Sequence, residues 1–66
     1  MTKIKAINKA RNHFGKSVES FYVYQFPKGH WSYATINSPI GESLRISGMI
    51  YPDIDCKAQQ FEIVNR

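Results

Sequence analysis

Hydrophobic residues recur along this chain with two different periods, and the change from one to the other divides it into elements. Between Thr2 and Phe14 there is neither Gly nor Pro. At 100° per residue, Ala6, Ala10, Phe14, Ile7 and Ile4 fall within one arc of about 160°, and Lys5, Asn8, Lys9, Asn12 and Lys16 fill the opposite one. The pattern predicts an amphipathic helix with Thr2 as N-cap and Gly15 at the left-handed position that ends it. Arg11 lies on the boundary beside Ile4, where its methylenes can cover apolar surface while the guanidinium stays in water.

From Val18 to Phe26 the chain turns aromatic and β-branched, which suits a pleated strand. Pro27-Lys28-Gly29 supplies a turn, with Pro to set φ and Gly to allow positive φ. Trp31 to Asn37 then alternates Trp31, Tyr33 and Thr35 with Ser32, Ala34 and Ile36, a second strand, and Ser38-Pro39-Ile40-Gly41 reads as another hairpin turn. Glu42 to Ile50 sets Leu44, Ile46, Gly48 and Ile50 against Arg45, Ser47, Met49 and Tyr51, a third strand stopped by Tyr51-Pro52-Asp53. The tail, Ile54 to Arg66, admits two readings. Gln60 to Val64 can form a short fourth strand, or a helix can begin near Asp55 with Asp53 or Asp55 as its cap. The β-branched Ile63 and Val64 favour the strand.

Together these elements predict one α+β domain over residues 1–66, an N-terminal amphipathic helix packed on one face of a three- to four-stranded antiparallel β-meander. On that reading Ile4, Ile7 and Phe14 are buried against Leu44, Ile46, Ile50, Ala34, Ile36, Phe21 and Val23. The other face then carries Tyr22, Tyr24, Phe26, Trp31, Tyr33, Arg45 and Met49. Those rings have three destinations: a core closed by the tail, a homodimer core, or an open docking face.

Composition narrows the function classes. At 42% hydrophobic and 14% aromatic the 66-residue chain is too apolar for a disordered tail. It is also too small for the usual ligand cleft, so no enzyme is expected. Cys56 stands alone and precludes an intramolecular disulfide, which suggests a reducing, cytoplasmic home. No apolar run suits a signal peptide or a membrane span, so no membrane association is expected. His13, His30, Cys56, Asp53 and Asp55 lack metal-ligand spacing, and neither a nucleophile elbow nor a phosphate-binding Gly loop is present. No catalytic residue, metal or other cofactor is expected.

Charge changes the picture by its placement. The formal net charge is +4, yet residues 1–16 hold Lys3, Lys5, Lys9, Arg11 and Lys16 without an acid, and residues 17–66 hold four bases against five acids. The basicity therefore belongs to the predicted helix, where Lys5, Lys9 and Lys16, with Arg11 assisting, could follow a phosphate backbone. Few cations are interleaved with the aromatic residues, and stacking on single-stranded nucleic acid requires such interleaving. The sequence accordingly suggests a non-catalytic interaction protein that docks a partner protein through Tyr22, Tyr24, Trp31, Tyr33, Arg45 and Met49. Small chains of this kind are typical of inhibitors or adaptors, including those carried by phages and plasmids. The alternative is a small basic nucleic-acid-binding regulator that uses Lys5, Lys9, Arg11 and Lys16.

The run Val23-Tyr24-Gln25-Phe26-Pro27-Lys28-Gly29-His30-Trp31 resembles the first hairpin of plant AP2-type DNA-binding domains, with Val23, Gln25, Pro27, Gly29 and Trp31 matching. The resemblance covers nine residues and implies a three-stranded sheet. Tyr24, Phe26 and, after a one-residue shift, Asn37 replace the arginines that such domains present to DNA. Their pattern also lacks an N-terminal helix, so no functional residue carries over.

Overall fold

Five elements succeed one another in the computed structural model, which describes residues 1–53 and 55–65: α1 (Lys3–Phe14), β1 (Ser20–Gln25), β2 (Trp31–Thr35), α2 (Pro39–Ser47) and β3 (Gln60–Asn65). The class is α+β, with a three-stranded antiparallel sheet in the order β2-β1-β3. The last strand crosses back to pair with the first, so the sheet is not a meander, and among the described residues it has three strands. Ile54 and Arg66, which bound the predicted tail, lie outside the described residues.

The segment predicted as the third strand is the helix α2. Its ends explain why. Ser38 is an extended N-cap whose Oγ accepts from the Gly41 N–H at 3.0 Å, Pro39 occupies the first turn, and Gly48 closes the helix in the left-handed region at φ 74°. Glu42 favours the positive end of the helix dipole and pairs with Arg45 one turn on. Helical spacing turns Leu44 to the sheet, fully buried, and sends Ile46 to solvent at 71% exposure. The Ser38–Gly41 segment is thus a helix start and not a hairpin turn.

α1 begins at Thr2, whose Oγ1 accepts the Lys5 N–H, and ends at Gly15, whose N–H reaches the Arg11 carbonyl. Ala6 and Ala10 lie deepest, flanked by Ile7 and Phe14, whereas Ile4, predicted to be buried, is 71% exposed. Ile4 stands at the margin of the apolar arc, and the small Ala side chains let the helix axis settle over their own side of it.

Each sheet face has its own cover. α1 packs with Phe21, Val23, Trp31, Tyr33 and Val64. α2 and the segment after it cover Tyr22, Tyr24 and Ala34 with Leu44, Ile50 and Ala58. The predicted faces therefore need two corrections. Trp31 and Tyr33 share a face with Phe21 and Val23, because Phe21 pairs with Thr35, Val23 with Tyr33 and Gln25 with Trp31. Ala34, Leu44 and Ile50 belong with Tyr22 and Tyr24, away from α1.

The chain from Gly48 to Gln59 is stitched down by backbone hydrogen bonds from Ile50 to Cys56 and from Ala58 to Gly48, and Met49 bridges Lys57. The Tyr51–Pro52 peptide is cis. Cys56 is half-buried against the Tyr22/Tyr24 cluster. At the far end the Gln59 side chain donates to the Phe26 and Pro27 carbonyls, which ties the start of β3 to the β1–β2 turn.

Candidate functional site

The six residues predicted to form a docking face do not share one surface. Tyr22 and Tyr24 are 4% and 3% exposed, beneath α2 and the Gly48–Gln59 segment. Their rings pack against Phe61 at 6.1 Å and Phe26 at 5.4 Å. Both are core residues, because the element taken for a third strand is a helix that closes over them. Trp31 and Tyr33 are half-buried on the opposite face, beside α1. Phe14 meets Tyr33 edge-on at 5.6 Å, and the Lys3 ammonium lies 5.6 Å from the Trp31 ring centre. Arg45 is exposed on α2, bound to Glu42 at 2.8 Å. That hydrogen bond, together with the carboxylate charge, holds the guanidinium pKa above its ordinary value. Met49 is half-buried in the bridge to Lys57.

Of the second set, Lys5, Lys9 and Arg11 lie on α1 and Lys16 follows it, after Gly15. Lys5, Lys9, Arg11 and Lys16 are all exposed, along with Asn8 and Asn12. Two salt bridges occur among the described residues, Lys3 with Glu62 and Arg45 with Glu42, so none of these four cations is neutralised by a carboxylate. Lys3 differs because its position turns it toward the sheet, where Glu62 and Trp31 receive it. The first turn of α1 holds Lys3 and Lys5 and no acid, an arrangement that opposes the helix dipole by about 0.3–1 kcal/mol per charge. Of the four exposed cations, only Lys5 stands where the dipole disfavours it, and Arg11 is in the last turn, where the dipole favours a cation.

The remaining chemistry is spread out. His13 is exposed beside Phe14 and Tyr33, and the exposed His30 stacks on Phe26 at 4.3 Å. The Asp53 carboxylate accepts the Asp55 N–H within its own loop. Among the described residues no three His, Cys, Asp or Glu side chains gather as a metal site would require. A depression of about 360 Å³ between the α1–β1 and β2–α2 connections is lined by Ser17, Ser20, Thr35 and Asn37, with Glu19 its one ionisable group.

The prediction missed the outer half of β3. Phe61 and Ile63 are 40% and 50% exposed at the sheet edge, on the face that holds Tyr22 and Tyr24. Their alternation with Gln60, Glu62 and Val64 was a readable signal of a half-open strand.

No protein-family model, no curated protein and no solved structure matches the chain. Among the described residues no helix is long and apolar enough to cross a membrane.

Proposed function

We propose that this chain is a non-catalytic nucleic-acid-binding protein that lays α1 along the phosphate backbone of a duplex. The observation that carries this reading is the set Lys5, Lys9, Arg11 and Lys16, exposed and, among the described residues, paired with no carboxylate. Lys5 and Lys9 succeed each other by about 6 Å along the helix, so both can meet one strand. Asn8 and Asn12 add neutral donors between them. Most aromatic residues are packed on either side of the sheet, and the exposed Tyr51 and Phe61 lie off α1, so contact is with phosphates and not by stacking on unpaired bases. Binding of this kind is insensitive to sequence and driven by counterion release.

The test is fluorescence anisotropy of labelled DNA duplexes of unrelated sequence, titrated between about 50 and 200 mM salt. Three to four neutralised phosphates give a slope of log K against log salt of about −3. Replacing Lys5, Lys9 and Lys16 together by Gln abolishes the binding. A duplex that is not bound at the lowest salt, or one bound equally well by the triple variant, overturns the reading.

A further inference from the structure

The two edges of the sheet are treated differently by the fold. In β1 the N–H of Phe26 donates to the His30 carbonyl, in phase with the β1–β2 register, so the even-numbered residues of β1 bond to β2 and the odd-numbered ones to β3. On β3 it follows that Gln60, Glu62 and Val64 bond inward to β1 and that Phe61 and Ile63 point their amides and carbonyls outward. By the same phase Trp31, Tyr33 and Thr35 point outward on β2, and there the chain covers both ends of the edge and leaves only Tyr33 open between them. The Trp31 N–H donates to the Met1 carbonyl at 2.9 Å, and the Thr35 carbonyl accepts from the Ser38 hydroxyl at 2.7 Å. Among the described residues no hydrogen bond reaches the outward groups of Phe61 and Ile63.

Of the devices that protect an edge, β3 carries one charged residue, Glu62. The strand pairs with β1 over six consecutive residues, preceded by an out-of-register bond from the Gln59 N–H to the Gln25 carbonyl, and it contains neither Lys nor Pro. Its outward-bonding residues are Phe61, Ile63 and Asn65, and the first two are its exposed apolar ones. We infer that β3 is the contact by which two copies of this chain join, antiparallel and about a two-fold axis through Ile63, into a continuous six-stranded sheet.

The register about Ile63 keeps like charges apart. With Ile63 facing the second copy's Ile63, the outward amides of both strands exchange hydrogen bonds reciprocally. Phe61 faces the second copy's Asn65, with both copies of Ile63 beside it, and the apolar strip becomes continuous across the joint. On the opposite face Glu62 lies across from the second copy's Val64. The register shifted by one pair would set Glu62 against Glu62, a like-charge pair that disfavours it. The pairing of each Glu62 with Lys3 of its own copy is half-exposed and weakens that repulsion without removing it. The excess positive charge sits on α1, over β1 and β2. Strand spacing puts the two α1 helices about 20 Å apart, well beyond the Debye length of about 8 Å. A two-fold normal to the sheet leaves both helices on one side, so the dimer presents both sets of cations in the same direction. The assembly does not depend on what α1 binds.

The contact is narrow, below the standard interface size, so it is a concentration-dependent dimer and not an obligate one. Sedimentation equilibrium of the full chain is expected to show mass rising from monomer toward dimer below about 1 mM protein. In a sample mixing labelled and unlabelled chains, a non-hydrogen-bonded antiparallel pair brings the Hα of Glu62 close to the Hα of Val64 in the other copy, and that intermolecular contact is the signature of the register. Ile63→Pro removes an outward N–H and no bond to β1, so it yields a folded monomer, as does Ile63→Lys. Glu62→Pro removes an inward bond and destabilises the fold itself. A chain that stays monomeric at 1 mM overturns the inference. So does a dimer that lacks the Glu62–Val64 contact or persists unchanged in Ile63→Lys.

Discussion

A Cβ placed on Gly41 would lie 2.3 Å from the carbonyl oxygen of Thr35 and 2.5 Å from that of Ile36. Neither atom can yield, because both are backbone at the end of β2, and the Thr35 oxygen already receives the Ser38 hydroxyl. This contact lets the first turn of α2 close on the sheet and sets the angle at which the helix covers Tyr22 and Tyr24. Gly41→Ala is therefore expected to cost about 3 kcal/mol, measured by urea unfolding. A domain of this size has only about 3–10 kcal/mol in total, so the variant loses much of its folded population at 37 °C.

The two caps differ in what they hold. Ser38 Oγ accepts from Gly41 and donates to Thr35, whereas Thr2 Oγ1 makes one longer bond, at 3.3 Å to Lys5. Ser38→Ala is expected to cost about 1–2 kcal/mol and Thr2→Ala about 0.5 kcal/mol, read as the difference in urea midpoints at constant m value.

Tyr24 and Phe61 separate core from surface on one sheet face. Tyr24→Ala removes a buried ring from the Leu44 and Ile50 cluster and costs about 3–5 kcal/mol. Phe61, 40% exposed at the edge, costs about 1 kcal/mol on the same change in dilute monomer. Near-ultraviolet circular dichroism through a thermal melt distinguishes the two, since Tyr24→Ala lowers Tm strongly and Phe61→Ala only slightly.

Lysines along α1 are not equivalent. Lys9 is exposed without an acidic partner, and Lys3 is engaged by Glu62 and Trp31. Lys9→Gln is expected to reduce the magnitude of the salt slope for duplex binding by about 0.9, the contribution of one phosphate contact. Lys3→Gln leaves that slope nearly unchanged and costs less than about 1 kcal/mol of stability, as half-exposed ion pairs do. Anisotropy titrations of the two variants beside the parent chain check both statements.

How far the fold can be read from the chain depends on how much freedom each segment has. α1 was legible because the Ala6–Ala10–Phe14 stripe, the Thr2 cap and the terminal Gly15 all point to one conformation. β1 and the tail strand were legible from their aromatic and β-branched residues. α2 was misread because Leu44, Ile46, Gly48 and Ile50 imitate strand alternation over a stretch too short for periodicity to decide. The better signal was at its ends, where Ser38, Pro39 and Gly48 occupy helix start and stop positions.

The chain by itself determined the class of fold, the helix and strands with unambiguous patterns, and the gathering of net positive charge in residues 1–16, because these follow from local spacing and composition. Tertiary structure alone decided which aromatic residues are exposed. Phe21, Tyr22, Val23 and Tyr24 are all buried, so β1 has no polar face to mark its phase. The phase comes instead from the turn, where Phe26 bonds to His30 across three residues and pairs odd positions with odd. A slip of one residue exchanges the two faces of a strand. Since both faces here are covered by helices, no count of aromatic residues could show that the open surface lies at the β3 edge and along α1.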